Sequence, residues 1–399
     1  MNKILNIRDF GASGDGLADD SPAIQRALDA AEGRGLTVYI PSGTYRIGKT
    51  LYIGDDTTIR CDSGARLFVC EKQPKKRGDF LLSNRNPTAG NRNIALYGGT
   101  WDGNFDGKNN TKPSDLFDPD GFSGSTLNFV NVKNLTLSGL AMRNSVVYYI
   151  RMAKLDGFVI RDISFASERA AFNQDGLHFG GEVRHGLIEH ITAEPGQTND
   201  DMIAFNADDS MVRLENHDLC CGPIEDITVR GVYAENCYTG FRMLSVNSPI
   251  RDIRMEDIYL GCRHFAINMD GARHCRTPLI RDGEKPNGSG HIENITIDRM
   301  TVWTTEKNGE RALILSETEL NNVRLTDFFR DTVKDIAPEK PTLLIALAPS
   351  SFGSVTCGET GTEYHLETCE DIFRVDGSFD TAVLNSGLTD FERKVPGNG

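Results

Sequence analysis

The chain has 399 residues, 39% of them hydrophobic, and its 43 basic against 57 acidic side chains leave a net charge of −14. That balance excludes a general nucleic-acid binder, which needs a basic footprint for phosphate, while a local basic patch for a small acidic ligand stays compatible with it. No stretch approaches the roughly 20 apolar residues of a membrane-spanning helix, so neither nucleic acid nor membrane is an expected partner.

In chain order, the opening "MNKILNIRDFGASGDG" has no apolar run long enough for a signal peptide. This predicts a cytoplasmic protein, or a secreted one if a leader has been removed. "DDSPAIQRALDAAEGRG" then gives one clear helix signal, with Ser21 as N-cap, Pro22 at the first helical position, and Gly33 and Gly35 as the stop. Ile24, Ala27, Leu28 and Ala31 share one face, which must lie on something apolar. "TVYIPSGTYRI" follows as two strand-like runs around a Pro-Ser-Gly turn.

Helix periodicity then nearly vanishes and a short apolar pattern takes over. It reads "NIALYGGTW" from Asn93, "NLTLSGLAM" from Asn134, "GFVIRDISF" from Gly157 and "GLIEHITAE" from Gly186. It continues as "DITVRGVYA" from Asp226, "DIRMEDIYL" from Asp252 and "NITIDRMTV" from Asn294. Each unit is two short strands broken by a bend, with Gly, Asn or Asp leading in. The shortest clean steps are 23 and 26 residues, and units of that size must stack because none can bury its apolar face alone. The leucine pattern of leucine-rich repeats is missing, and Val, Ile, Phe and Thr dominate, as stacked strands prefer. A parallel β-helix fits this best; a β-sandwich or propeller should show more hairpin turns and blade signatures. The helix at 22–32 would cap one open end of the stack, where strand edges are a liability.

Two polar segments, 102–125 and 270–290, interrupt the repeat and read as long loops that decorate or wall a cleft. Beyond about 330 the repeat fades, although "TLLIALAP" suits a terminal strand. The whole chain, 1–399, is therefore read as one domain. About 1–50 form the N-terminal cap and first coil, and about 330–399 the C-terminal coils and cap. The nine cysteines are odd in number and form no CxxC pair, so reduced, buried thiols are expected rather than a zinc site or disulfide framework.

The chemistry concentrates in "TNDDMIAFNADD", residues 198–209. Equivalent positions of successive coils lie about 4.8 Å apart, and Asp175 precedes Asp200 and Asp201 by 25 and 26 residues, about one repeat step. Three carboxylates would then cluster, which is costly unless they share protons or bind a cation. Sharing supplies a general acid beside a base, the pair that glycosidic hydrolysis needs. An Asp ladder that binds Ca²⁺ or closes turns fits the spacing equally well. Asp208 and Asp209 read as turn residues after the strand. Tyr148 and Tyr149 offer a sugar-stacking platform, one facing in and one out.

The opening "IRDFGASGDGLADDSPAIQRALDAA" with "YIPSGTYRI" resembles the cap and first coil of pectin-lyase-like right-handed β-helix proteins. "GGTWDGN" (98–104), "NQDGLHF" (173–179) and "NDDMIAF" (199–205) resemble motifs of the polygalacturonase family of glycoside hydrolases, and "GFRML" (240–244) sits where that family carries Arg-Ile-Lys. The likeness covers most of residues 6–300. It implies an oligosaccharide or polysaccharide substrate, with neither metal nor cofactor. Asp200 would protonate the leaving oxygen, and Asp175 and Asp201 would activate a water, giving inversion with acid and base about 6.5–9.5 Å apart. Arg242 would contact the sugar, with His178, Asn173 and Asn199 as further substrate contacts.

The chain departs from the family pattern in three places. The family's Gly-His-Gly, expected about one coil past the Asp pair near "ENHDLCCGPIED", is absent. Leu244 replaces the Lys of Arg-Ile-Lys, and His178 stands where another acid is common. A sugar other than galacturonate fits these losses. A lyase or epimerase with a metal at the Asp cluster, and a non-catalytic glycan-binding or tail-spike-like β-helix, are the rival readings.

Overall fold

A computed structural model describes residues 4–70, 78–105, 124–170, 172–195, 198–212, 216, 218–271, 290–307, 312–346, 353–357, 362–366, 372–375 and 377–385. The polar segments 102–125 and 270–290 fall largely outside these residues. The chain is a right-handed parallel β-helix. Seven long strands, Leu127–Ser138, Ile150–Ala166, Val183–Ala193, Ile224–Cys237, Ile250–Cys262, His291–Thr304 and Glu319–Arg330, pair in parallel, each with the next.

The bends explain why the repeat has the composition it has. The leading residue and the one five positions later both sit in the left-handed region: Asn134 and Gly139, Gly157 and Asp162, Asp226 and Gly231, Asp252 and Asp257, Asn294 and Arg299. That conformation costs an ordinary L-residue roughly 1–2 kcal/mol, and Gly, Asn and Asp tolerate it best. Asn322 and Asp327 repeat the geometry in Glu319–Arg330, an eighth unit whose "NVRLTDFF" the sequence pattern did not single out. At Gly98 (φ 72°) a side chain is also excluded by space, since a Cβ would stand 2.7 Å from the Cys61 carbonyl oxygen. Between the bends, alternate apolar residues turn inward. The column Val229, Met255, Ile297 and Leu325 is fully buried and in register across four coils.

The helix Ser21–Ala31 covers the N-terminal end, with Ile24, Ala27, Leu28 and Ala31 all inaccessible. Its cap differs from expectation. Asp20 holds the N-cap position without a side-chain cap bond, because its carboxylate accepts from the Ser13 and Gly14 amides instead. Ser21 starts the helix and gives its own N–H and hydroxyl to Asp19. At the other end Leu343–Ala346 is a parallel strand on Ile314–Ser316. The chain then reverses: Ile372–Val375 and Phe379–Asn385 pair antiparallel with Leu343–Ala346 and Glu319–Arg330. Among the described cysteines, Cys61, Cys220, Cys221, Cys237 and Cys262 are free thiols.

Candidate active site

A second stack of short parallel strands positions the acids: Leu177–Phe179, Asp201–Asn206, Thr239–Leu244 and Ile267–Asp270. Leu177 pairs with Ile203, so Asp175 and Asp201, each two residues earlier, enter adjacent coils at one level. The Gly176 amide donates to the Asp201 carbonyl at 2.9 Å and fixes that alignment. Oxygens of Asp175, Asp200 and Asp201 come within 4.8 Å of one another. Asp175 and Asp201 are 3% and 4% exposed, while Asp200 is half-buried and opens to solvent. Their closeness also makes them the described group able to bridge a cation.

His178, expected as a substrate contact, lies buried beneath the acids. It is 1% exposed, stacked on the Tyr148 ring at 3.9 Å, with Nδ1 2.6 Å from Asp175 Oδ2 and Nε2 3.0 Å from Asp209 Oδ2. Burial opposes its charge, but the hydrogen bonds to Asp175 and Asp209 outweigh that and raise its pKa to about 9. An imidazolium donating from both nitrogens therefore anchors Asp175 from below.

Asp209 was expected merely to shape a turn; instead it is fully buried against His178. The turn-shaping role belongs to Asp208, whose Oδ2 accepts from the amides of Val246, Asn247 and Ser248 at 2.7, 2.6 and 2.8 Å. Both aspartates start a strap, whose described residues are 207–212, 216 and 218–222, closed at its base by the Gly222 amide on the Ala207 carbonyl. The strap folds back over earlier coils. Asn216 donates to the Tyr148 hydroxyl at 3.0 Å and to Asp209, and accepts from Arg151 Nε at 3.1 Å. Arg151, 1% exposed, also reaches Asp218 on the strap. Gly181 lets the strap settle, since a Cβ there would lie 2.4 Å from the Gly222 nitrogen. "ENHDLCCGPIED" therefore belongs largely to the strap and the start of the next long strand. Thr239 and Gly240 occupy the place one coil past the Asp pair, because Asp201 pairs directly with Thr239.

Arg242 stands on that coil beside Ala204. Its side chain is 14% exposed, and Nη2 donates to Asp270 Oδ2 at 2.6 Å. Asn173 is left-handed (φ 55°) and 5% exposed, and its amide nitrogen has no hydrogen-bond partner among the described residues. Asn199 accepts from Arg263 Nη2 at 3.3 Å, and the same nitrogen holds the Thr198 carbonyl at 2.9 Å. Tyr148 and Tyr149 are no platform, being 3% and 0% exposed; Tyr149 gives its hydroxyl to the Ala166 carbonyl.

A different aromatic group flanks Asn199 and was missed. Tyr238 stacks on His264 with centroids 4.5 Å apart, and the Arg263 guanidinium lies 5.7 Å from the Tyr238 ring centre. Tyr238 and His264 are separated by one 26-residue step, a signal that could have paired them. The contacts of Asp209, Asn216 and Arg151 had no such signal, because the strap runs against the repeat.

A parallel β-helix carrying a carboxylate trio at the head of adjacent strands defines a class of carbohydrate-active proteins. The chain belongs to the family described as rhamnogalacturonase A/epimerase, pectate lyase-like, whose model matches residues 4–263. It is 23% identical over 396 residues to a probable polygalacturonase of Arabidopsis thaliana, covering 96% of this chain and 75% of that protein. It is 27% identical over 236 residues to an exopolygalacturonase of Zea mays, covering 56% of this chain and 54% of that protein. In fold it is similar to the family 28 exopolygalacturonase of Yersinia enterocolitica, with a TM-score of 0.52, 19% identity, and coverage of 87% and 76% of the two chains. These relatives support a glycoside hydrolase on this fold.

Proposed function

We propose that the chain hydrolyses a glycosidic bond in a pectin-related oligosaccharide or polysaccharide, with inversion of configuration. The reading rests on one observation: three carboxylates from successive coils converge within 4.8 Å, unequally exposed. Asp200, open to solvent, protonates the leaving oxygen. Asp175 and Asp201, both recessed, act through a water held between them and the sugar. His178 holds Asp175 in place through its Nδ1 hydrogen bond. Arg242 and Asn199 face the sugar from the side of the later coils, and the Arg242–Asp270 pair gives that side a mixed polarity suited to sugars other than a plain polyuronate.

Retention is the second reading, favoured by the close oxygen spacing, because double displacement works at about 5–5.5 Å between carboxyl groups. The configuration of the first product, followed by NMR on a polygalacturonan or rhamnogalacturonan oligosaccharide, separates them. Inversion supports the water mechanism, and retention makes a recessed carboxylate the nucleophile. Unsaturated products lost on chelation would replace hydrolysis by a metal-dependent elimination at the same cluster.

A further inference from the structure

We propose that Cys237 and Cys262 are an oxidisable thiol pair whose disulfide closes one coil of the β-helix into a covalent ring, independently of the hydrolase reading above. The two residues end the long strands Ile224–Cys237 and Ile250–Cys262 and pair directly across them. A bulge makes that pairing. Ala234 faces Leu260 but Cys237 faces Cys262, so three steps on the earlier strand span two on the later one. In unbroken register Cys237 would face Arg263 instead. Both cysteines are 0% exposed, and their sulfurs are in contact at 3.7 Å. Neighbouring strands put paired Cα atoms about 4.8 Å apart, inside the range of about 4.4–6.8 Å that a disulfide spans. Closing the bond then asks mainly for side-chain rotation, at two strand ends where the ladder is already irregular.

The ring encloses residues 238–261, the coil that carries Arg242. Its closure adjoins the residues beside Asp200. The Arg263 amide donates to the Cys237 carbonyl at 2.9 Å, the His264 amide to the Tyr238 carbonyl at 2.8 Å, and the Thr239 amide to the Asp200 carbonyl at 3.3 Å. A cross-link here ties these two coils together and removes freedom from the unfolded chain, which stabilises the fold. Burial first, and then the contact with Cys237, hold the Cys262 thiol well above its ordinary value. It does not ionise in the closed core, so exchange proceeds when the coil opens. There a thiolate of one cysteine attacks a low-molecular-weight disulfide and releases one thiol; the other cysteine attacks the mixed disulfide and releases the second. The pair gives up two electrons and two protons, and the external disulfide is reduced to two thiols.

The test warms the native full chain to just below its melting temperature in a buffer rich in glutathione disulfide, against a control kept in reduced glutathione. Free thiols are then blocked and the peptides mapped by mass spectrometry without reduction. The expected result is a peptide that links Cys237 to Cys262, lighter by two hydrogens than its parts and split by reductant. The melting temperature should stand a few degrees above that of the control. Cys262→Ala should lose both the link and the rise, and the wild-type comparison stands even where that variant fails to fold. Recovery of both cysteines as blocked thiols after oxidation overturns the proposal. So does a link of either one to Cys220 or Cys221, the half-buried thiols of the strap. A Cys237–Cys262 link that lowers the melting temperature overturns it as well, because the bond would then strain the coil.

Discussion

Glu256, on the long strand Ile250–Cys262, accepts from Arg230, Arg254 and Arg299 at 2.8, 3.0 and 3.2 Å, and Arg299 also holds Asp257 at 2.7 Å. These arginines, Arg230 foremost, hold the Glu256 carboxyl down at about 2. On the short-strand face of the same stack, three carboxylates crowd within 4.8 Å, with His178 as the buried cation set against one of them. One cluster is neutralised by exposed surface cations. The other crowds carboxyl groups together without an arginine cluster, and its support comes from buried hydrogen bonds. Charge that only stabilises is paired; charge that must move protons is left in excess and held in place.

Substitution of Asp200 by Asn gives the largest separation of the two. Turnover should fall roughly 10²–10⁴-fold, while the melting temperature stays level, because Asn keeps the size of the half-buried side chain. Equal loss of stability and activity would make the trio a structural cluster like that of Glu256. His178→Gln comes next, with turnover down roughly 10–100-fold, as for other supporting partners of reactive groups, and KM little changed. Its pH signature is specific. His178 is raised from 6.5 to about 9, so its contribution is complete below about 6.5 and is lost as pH rises through about 9. Wild-type stability should decline across that window, and the Gln variant should show no such step in thermal melts. A variant that keeps the step would place the titration elsewhere.

The long-strand face was legible in the sequence for a physical reason. Its bends demand left-handed residues at fixed positions, so Asn, Asp and Gly recur in step with the apolar alternation, and register follows from spacing. The meeting of Asp175 with Asp200 and Asp201 was legible on the same ground. Two kinds of feature were not. His185 and His190 fill left-handed positions (φ 58° and 54°) with a residue type that gives no turn signal, so Gly186 looked like the lead residue of its unit. The strap leaves the repeat altogether: Asn216 meets Tyr148 from 68 residues away, and nothing in local spacing encodes that. Asp209 was misread with it, since a buried carboxylate bonded to a histidine and a turn-forming one look identical as letters.

The smallest expected effect tests the neutralised cluster. Arg230, Arg254 and Arg299 are 47%, 57% and 44% exposed, so solvent and salt screen much of what they give Glu256. Glu256→Gln should therefore lower the melting temperature only slightly at neutral pH and low salt, with the difference shrinking as salt is added. The sign with pH is opposite to that of His178. A carboxyl lowered from 4.5 to about 2 stabilises the fold above its ordinary value and loses that contribution as pH falls through about 2. The gap between wild type and variant should close over that acid range and stay constant above it, while turnover at neutral pH is unchanged. A fall in turnover would couple the arginine cluster to the site across the coil and end the division between paired, stabilising charge and crowded, working charge.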